Sequence, residues 1–178
     1  MIENERNARC EHVLHVARQI MTAARTAPKA RGMDVVEIAL VTGDEKEQLS
    51  QRMEEMGSQN KMKFFLRDAD NVRQAEAVIL IGTRDVQRPR ALNCGYCGFP
   101  NCASKPENVP CTFSSLDVGI AIGSACAMAT DLRVDTRVMY SVGSAAQKME
   151  LLKDCGCVLA LLLSVSSKSP FFDRKWPK

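Results

Sequence analysis

Four cysteines within eighteen consecutive positions constrain this chain more than anything else in it. Cys94, Cys97, Cys102 and Cys111 are spaced C-x2-C-x4-C-x8-C. Four thiolates in one short loop repel each other, so such a loop folds only around a cation. The C-x2-C pair lets two thiolates reach neighbouring corners of one centre without backbone strain. Gly95 and Gly98 remove side chains that would block a bulky group, and they permit a positive φ that turns backbone N–H groups toward sulfur. The only charges among the ligands are Lys105 and Glu107. Two short spacings followed by a longer one fit a [4Fe–4S] cluster better than the paired C-x2-C of zinc ribbons. Structural zinc is the alternative, because C-x2-C-x4 also opens zinc knuckles. Those place the last ligand sooner and need basic and aromatic neighbours, in which this loop is poor.

The other cysteines read differently. Cys126 sits among Ala125, Ala127 and Met128, where packing is the plain reading. Cys155 and Cys157 enter an apolar run and form a redox pair only on a sharper reading, while Cys10 lies in the first helix without a partner. His12 and His15 share a helix face but have no third ligand in view. Eight cysteines behind a polar N-terminus, Met1 to Arg6, predict a reducing compartment, hence a cytoplasmic protein with no membrane span. The longest apolar runs, 116–130 and 157–165, are too short for a bilayer or are broken by Asp117 and Ser124. A net charge of +3 and 5% aromatic residues give no basis for binding nucleic acid.

Helical spacing of Val13, Val16, Ala17, Ile20 and Ala24 predicts an amphipathic helix over 8–24. Strands are expected at 35–41, 77–82, 137–142 and 157–163. Further helices are expected at 44–56 (with Gly57 as its cap), 113–129 and 144–152. Residues 83–112 lack any period. Strands separated by helices, with a long loop in the middle, predict an α+β or α/β domain carrying an inserted metal loop.

Two further features bear on ligands. Arg25, Thr26, Lys29 and Arg31 follow the first helix, while Lys168, Arg174 and Lys175 lie in the tail with Ser166 and Ser167. Convergence of the two segments would make a phosphate site; without it they are a solvated surface. Gly119, Gly123 and Ala127 recur every fourth residue, giving a smooth helical stripe that suits core packing, a flat ring or a dimer partner.

The segments from Cys94 to Cys102 (CGYCGFPNC), Asp117 to Ala125 (DVGIAIGSA) and Ser166 to Arg174 (SSKSPFFDR) resemble an uncharacterised family of ferredoxin-domain-containing proteins with a nitroreductase-like fold. The resemblance covers nearly the whole chain. It implies one three-layer α+β domain over residues 1–178, with 93–111 as an inserted ferredoxin-like loop. It also implies a homodimer with FMN at the subunit interface. Nitroreductases grip the FMN phosphate with an Arg-Ser-x-Arg segment after the first helix and a basic residue near the C-terminus. Arg25, Thr26 and Lys29 match the first element loosely, and Lys168 or Arg174 the second; Pro28 interrupts the pattern. Gly119 and Gly123 would lie near the flavin ring or the dimer seam. The expected function is electron transfer between a [4Fe–4S] cluster, FMN and a small acceptor, with a redox partner protein. The alternative is a non-enzymatic, partner-binding domain with structural zinc.

Overall fold

The first helix, α1 (Glu5–Thr26), starts where Asn4 accepts a hydrogen bond from the Arg6 N–H at 3.0 Å, with Glu5 in its first turn and Arg25 in its last. Its buried residues are the five that the spacing picked out: Val13, Val16, Ala17, Ile20 and Ala24. The structure, a computed structural model, describes residues 1–84 and 86–172.

Four strands form one sheet: β1 (Val36–Val41), β2 (Ala77–Arg84), β3 (Asp135–Met139) and β4 (Cys155–Ser164), in the order β1-β2-β4-β3. Every neighbouring pair is antiparallel. That selects the α+β alternative, because α/β units require parallel strands. β2 reads as an unbroken apolar run because both of its faces are covered. Ala77, Ile79 and Ile81 pack against α1 and α4 (Thr112–Asp131). Val78 and Leu80 point the other way, toward α2 (Gly43–Gln59), α3 (Lys63–Gln74) and α5 (Tyr140–Lys148). The result is three layers, helix–sheet–helix. Each large side chain buried this way contributes roughly 1.5–3 kcal/mol.

Three local expectations are corrected. Helix α3 is not anticipated, because its buried face mixes Phe65, Ala69 and Val72 with Asp68 and Asn71. Asp68 is held there by Ser141, whose hydroxyl donates to Oδ2 at 2.6 Å. Gly57 does not cap α2; the helix runs on to Gln59, and an added Cβ at Gly57 would lie 3.0 Å from Leu66 and Phe65. Gly57 therefore lets α2 and α3 approach closely. The expected strand at 137–142 ends at Met139, and α5 begins at once with Tyr140. Gly143 explains this: its Cα lies so near β4 that a Cβ would stand 2.0 Å from the Val158 carbonyl oxygen. Only a helix with glycine there can lie on the sheet so closely.

Helix α4 is long and apolar enough, by length and composition alone, to cross a membrane. Here its Val118, Ala121, Ala125 and Ala129 are buried against α1 and the sheet. Between the end of β2 and the start of α4 runs the loop that holds the four clustered cysteines.

Candidate metal centre

The cysteine loop turns by repeated use of left-handed backbone. Ala91, Asn93, Gly95 and Gly98 have φ of 52°, 48°, 72° and 87°. The two glycines thus adopt the conformation expected of them. The Gly98 N–H closes a turn onto the Gly95 carbonyl at 2.9 Å. Asn93 ties the first cysteine segment to the third: its side-chain oxygen accepts from the Cys102 N–H at 2.9 Å, and its own N–H points at the Cys102 Sγ, 3.4 Å away. Such N–H···S contacts offset negative charge on sulfur. Asn101 then caps the short 3-10 turn Cys102–Ser104 by exchanging hydrogen bonds with Ser104.

Cys111 is set differently. It is buried, and it is the N-cap residue of the twenty-residue α4, where the helix macrodipole favours negative charge. Its N–H donates to the Val86 carbonyl at 2.9 Å. Val86 in turn fills the space above Gly156 of β4, where a Cβ would stand 2.3 Å from the Val86 Cγ1. The chain from sheet to ligand is therefore Gly156, Val86, Cys111. The Tyr96 ring stacks on Phe113 with centroids 5.9 Å apart and holds the outer loop against the same helix.

All four cysteines line one cavity, with Arg90, Lys105, Thr112 and Phe113 among its other walls. Their exposure is graded: Cys94 is exposed, Cys97 and Cys102 are half-buried, and Cys111 is buried. The enclosed space is only about 10 Å³, roughly room for one water molecule. Seating a cluster therefore means opening the loop on its outer side, where residues 91–96 are all exposed. Among the described residues, no three His, Cys, Asp or Glu side chains are gathered tightly enough to hold a single metal ion.

Sequence reasoning missed the floor of this cavity. Arg90 is 1% exposed, and its Nε lies 3.6 Å from the Asp117 carboxylate, itself 1% exposed. Asp117 also accepts from the Ala30 N–H at 2.9 Å, and Arg31 Nη1 donates to the Arg90 carbonyl at 3.4 Å. The loop after α1 is thereby tied to the cavity floor. No local signal exposes this link, because its partners come from three separate stretches of chain.

The candidate phosphate residues are only partly assembled. Arg25 pairs with Asp34 at 2.7 Å and donates to the Val36 carbonyl. The Lys29 ammonium donates to the Arg25 carbonyl at the end of α1, and the Thr26 hydroxyl to the Thr22 carbonyl. Arg25 also borders an open hollow with Arg18, Met21, Thr22 and Ile38. Lys168 lies elsewhere. The tail leaves β4 beside the start of α1, where Arg9 reaches the Val165 carbonyl, and then crosses β3 so that Arg137 donates to the Phe171 carbonyl at 2.7 Å. At 1.5 Å per residue, Arg9 and Arg25 are about 24 Å apart along α1. The described part of the tail thus runs toward β3, whereas Arg25 lies against β1. Arg174 lies outside the described residues.

Gly119, Gly123 and Ala127 are exposed on α4, beside Leu116 and Ile120, and added Cβ atoms at the two glycines would meet nothing within 4 Å. The stripe is therefore not core packing. Cys155 is an unreactive thiol: burial, aided by the Glu37 carboxylate, pushes it up to about 11. Burial likewise pushes the Cys126 thiol up.

Comparison with known proteins agrees with this architecture. An uncharacterised protein of Archaeoglobus fulgidus is 40% identical over 183 residues, which cover 98% of each chain. The profile of a family described as "Uncharacterized protein containing a ferredoxin domain (DUF2148)" matches residues 107–174, a span that holds Cys111 but not the other three clustered cysteines. Among solved structures, nitroreductase CinD from Lactococcus lactis, in complex with nicotinic acid, superposes with a TM-score of 0.61 at 16% identity, over 99% of this chain and 86% of that one. A nitroreductase with bound FMN from Desulfitobacterium hafniense gives 0.56 at 14% identity, over 86% and 78%. Identities this low show a shared fold and nothing finer. The chain belongs to the family of ferredoxin-domain-containing proteins and has a nitroreductase-like fold.

Proposed function

We propose that this chain is an iron–sulfur redox protein, passing electrons between a [4Fe–4S] centre on Cys94, Cys97, Cys102 and Cys111, an FMN, and a small acceptor. The observation that carries the reading is the single cavity lined by those four thiols, closed on its inner side by the N-terminus of α4. When bound, the cluster supplies one-electron transfer and the flavin converts it to two-electron or hydride chemistry. The chain's own part is to hold and bias these groups. The Asn93 N–H and the α4 N-terminus stabilise negative charge on the sulfur ligands. The exposed face of Leu116, Gly119, Ile120 and Gly123 begins within two turns of Cys111 and offers a flat apolar bed for a ring or a second chain. Arg18, Thr22 and Arg25 face the hollow where a flavin phosphate would be neutralised.

A homodimer is part of this reading: the exposed apolar face of α4 is where a second chain would pack. The exposed side of Cys94 is where a partner protein would deliver electrons, in a reducing cytoplasm that keeps all eight thiols free. The inserted loop over 93–111 would act as the ferredoxin-like unit of a single domain. The competing reading is a non-enzymatic domain with one zinc ion. Zinc would bind the same four thiolates at about 2.3 Å, so metal and sulfide analysis separates the two readings.

Protein purified without oxygen should contain iron and acid-labile sulfide in equal amounts, absorb in the broad cluster band, and release FMN on denaturation. One zinc per chain without iron overturns the proposal. Iron without flavin reduces it to an electron carrier.

A further inference from the structure

The same cavity contains two buried cations that ligation does not use. Arg90 is 1% exposed and Lys105 8% exposed, and both line the space between the four thiols. The Lys105 ammonium donates to the Pro106 and Val109 carbonyls at 2.9 and 2.6 Å, which hold it in position without cancelling its charge. Arg90 is less satisfied still. Its Nη1 has a weak 3.5 Å contact with the Arg88 carbonyl, while Nε and Nη2 have no hydrogen-bond partner. Across from it, Asp117 Oδ2 is also without a hydrogen bond, as is Ser114 Oγ one turn earlier on α4.

A buried guanidinium with idle donors is costly unless an anion faces it. Asp117 lies at ion-pair distance without hydrogen-bond geometry, so it offsets only part of the charge. Among the described residues lining this wall, the remaining groups that can carry negative charge are the cysteine sulfurs. We infer that Arg90, with Lys105, tunes the reduction potential of the metal centre, and that Asp117 sets how much of the Arg90 charge the centre feels. This rests on the iron–sulfur reading above. A centre held by four thiolates is net anionic, and one electron from an added reductant makes it more so. A fixed cation favours the reduced form and raises the potential, whereas a fixed carboxylate lowers it. Arg90 is thus a positioning and tuning residue.

The test is a redox titration of anaerobically purified full-length protein, following the cluster signal for wild type, Arg90→Gln, Lys105→Gln and Asp117→Asn. Arg90→Gln is expected to weaken reduction about tenfold, a shift of about 59 mV to lower potential for one electron. Lys105→Gln is expected to move the same way, and Asp117→Asn the opposite way. Opposite signs separate tuning from structural damage, since a merely structural pair would lose stability in every variant without such ordering. If Arg90→Gln does not fold, Arg90→Lys, which should hold the wild-type potential, and Asp117→Asn carry the test. Unmoved potentials in variants that keep their iron overturn this inference and leave the iron–sulfur reading standing. Wild type without iron and sulfide overturns both.

Discussion

The contact between Gly156 and Val86 links the sheet to the metal ligands, and Gly156→Ala tests that link. A Cβ at Gly156 would lie 2.3 Å from Val86 Cγ1 and 2.8 Å from Val86 Cβ. Carbon atoms rest about 3.5–4.0 Å apart, so Val86 must retreat by at least ~1.2 Å. The Val86 carbonyl now accepts from the Cys111 N–H at 2.9 Å. Such a retreat stretches that bond past hydrogen-bonding distance, which costs about 1 kcal/mol, and more if the buried N–H is stranded. Local repacking adds about 1–3 kcal/mol. The reduced freedom of the unfolded chain returns at most about 1 kcal/mol, so the steric terms win and the net loss should be about 2–4 kcal/mol. Urea unfolding measures it directly, and iron content should fall together with stability because Cys111 loses its anchor. Val86→Ala removes the closer overlap, so adding Gly156→Ala to it should cost less than adding it to wild type, with a coupling of about 1 kcal/mol. A Gly156→Ala protein with unchanged midpoint and full iron content would refute the reasoning.

Other outcomes follow from separate features. Cys94→Ser, Cys97→Ser, Cys102→Ser and Cys111→Ser should each lose iron on anaerobic purification, whereas Cys10→Ser and Cys126→Ser should keep it; elemental analysis decides. Gly143→Ala drives a methyl against the Val158 carbonyl and should destabilise by about 3 kcal/mol. Gly119→Ala meets nothing and should stabilise α4 by up to about 1 kcal/mol, again by urea unfolding. The Cys155 thiol, raised from 9.0 to about 11, keeps its proton in the folded chain. Iodoacetamide at pH 8 should therefore modify the exposed Cys10 well before it. Because the folded value exceeds the unfolded one, the stabilisation is complete below pH 9 and is lost as pH rises toward 11, which a pH series of melting curves would follow. Arg18→Ala should lower FMN content while leaving iron unchanged, as separate flavin and iron assays would show.

Much of this molecule is legible before any coordinates are known. The stripe of α1 declares itself because one helix face buries only apolar residues, and β2 because both faces do. The turns of the cysteine loop are legible because Gly95 and Gly98 permit the positive φ that they adopt. What escapes is whatever depends on distant partners. Helix α3 hides because Asp68 and Asn71 occupy buried positions, the first of them held by Ser141 far along the chain. Gly57 and Gly143 look like punctuation, yet each marks where one backbone or side chain presses close against another. The two basic segments look ready to converge, yet the described part of the tail runs to β3 while Arg25 lies against β1 at the other edge of the sheet. Arg90 resembles any surface arginine in sequence, and only the fold puts it under four sulfurs.

The uneven depth of the four thiols gives the cavity a front and a back. Cys111 is shut in behind α4, whereas Cys94 stands at the surface. Oxygen, peroxide or a chelator would therefore reach the centre from one direction, and the ligand surrendered first would be the outermost. On the iron–sulfur reading, damage of this kind should proceed in order, from the outermost cysteine inward to the buried Cys111. On that reading the same opening would also serve repair, since iron and sulfide would re-enter beside the outer cysteines first.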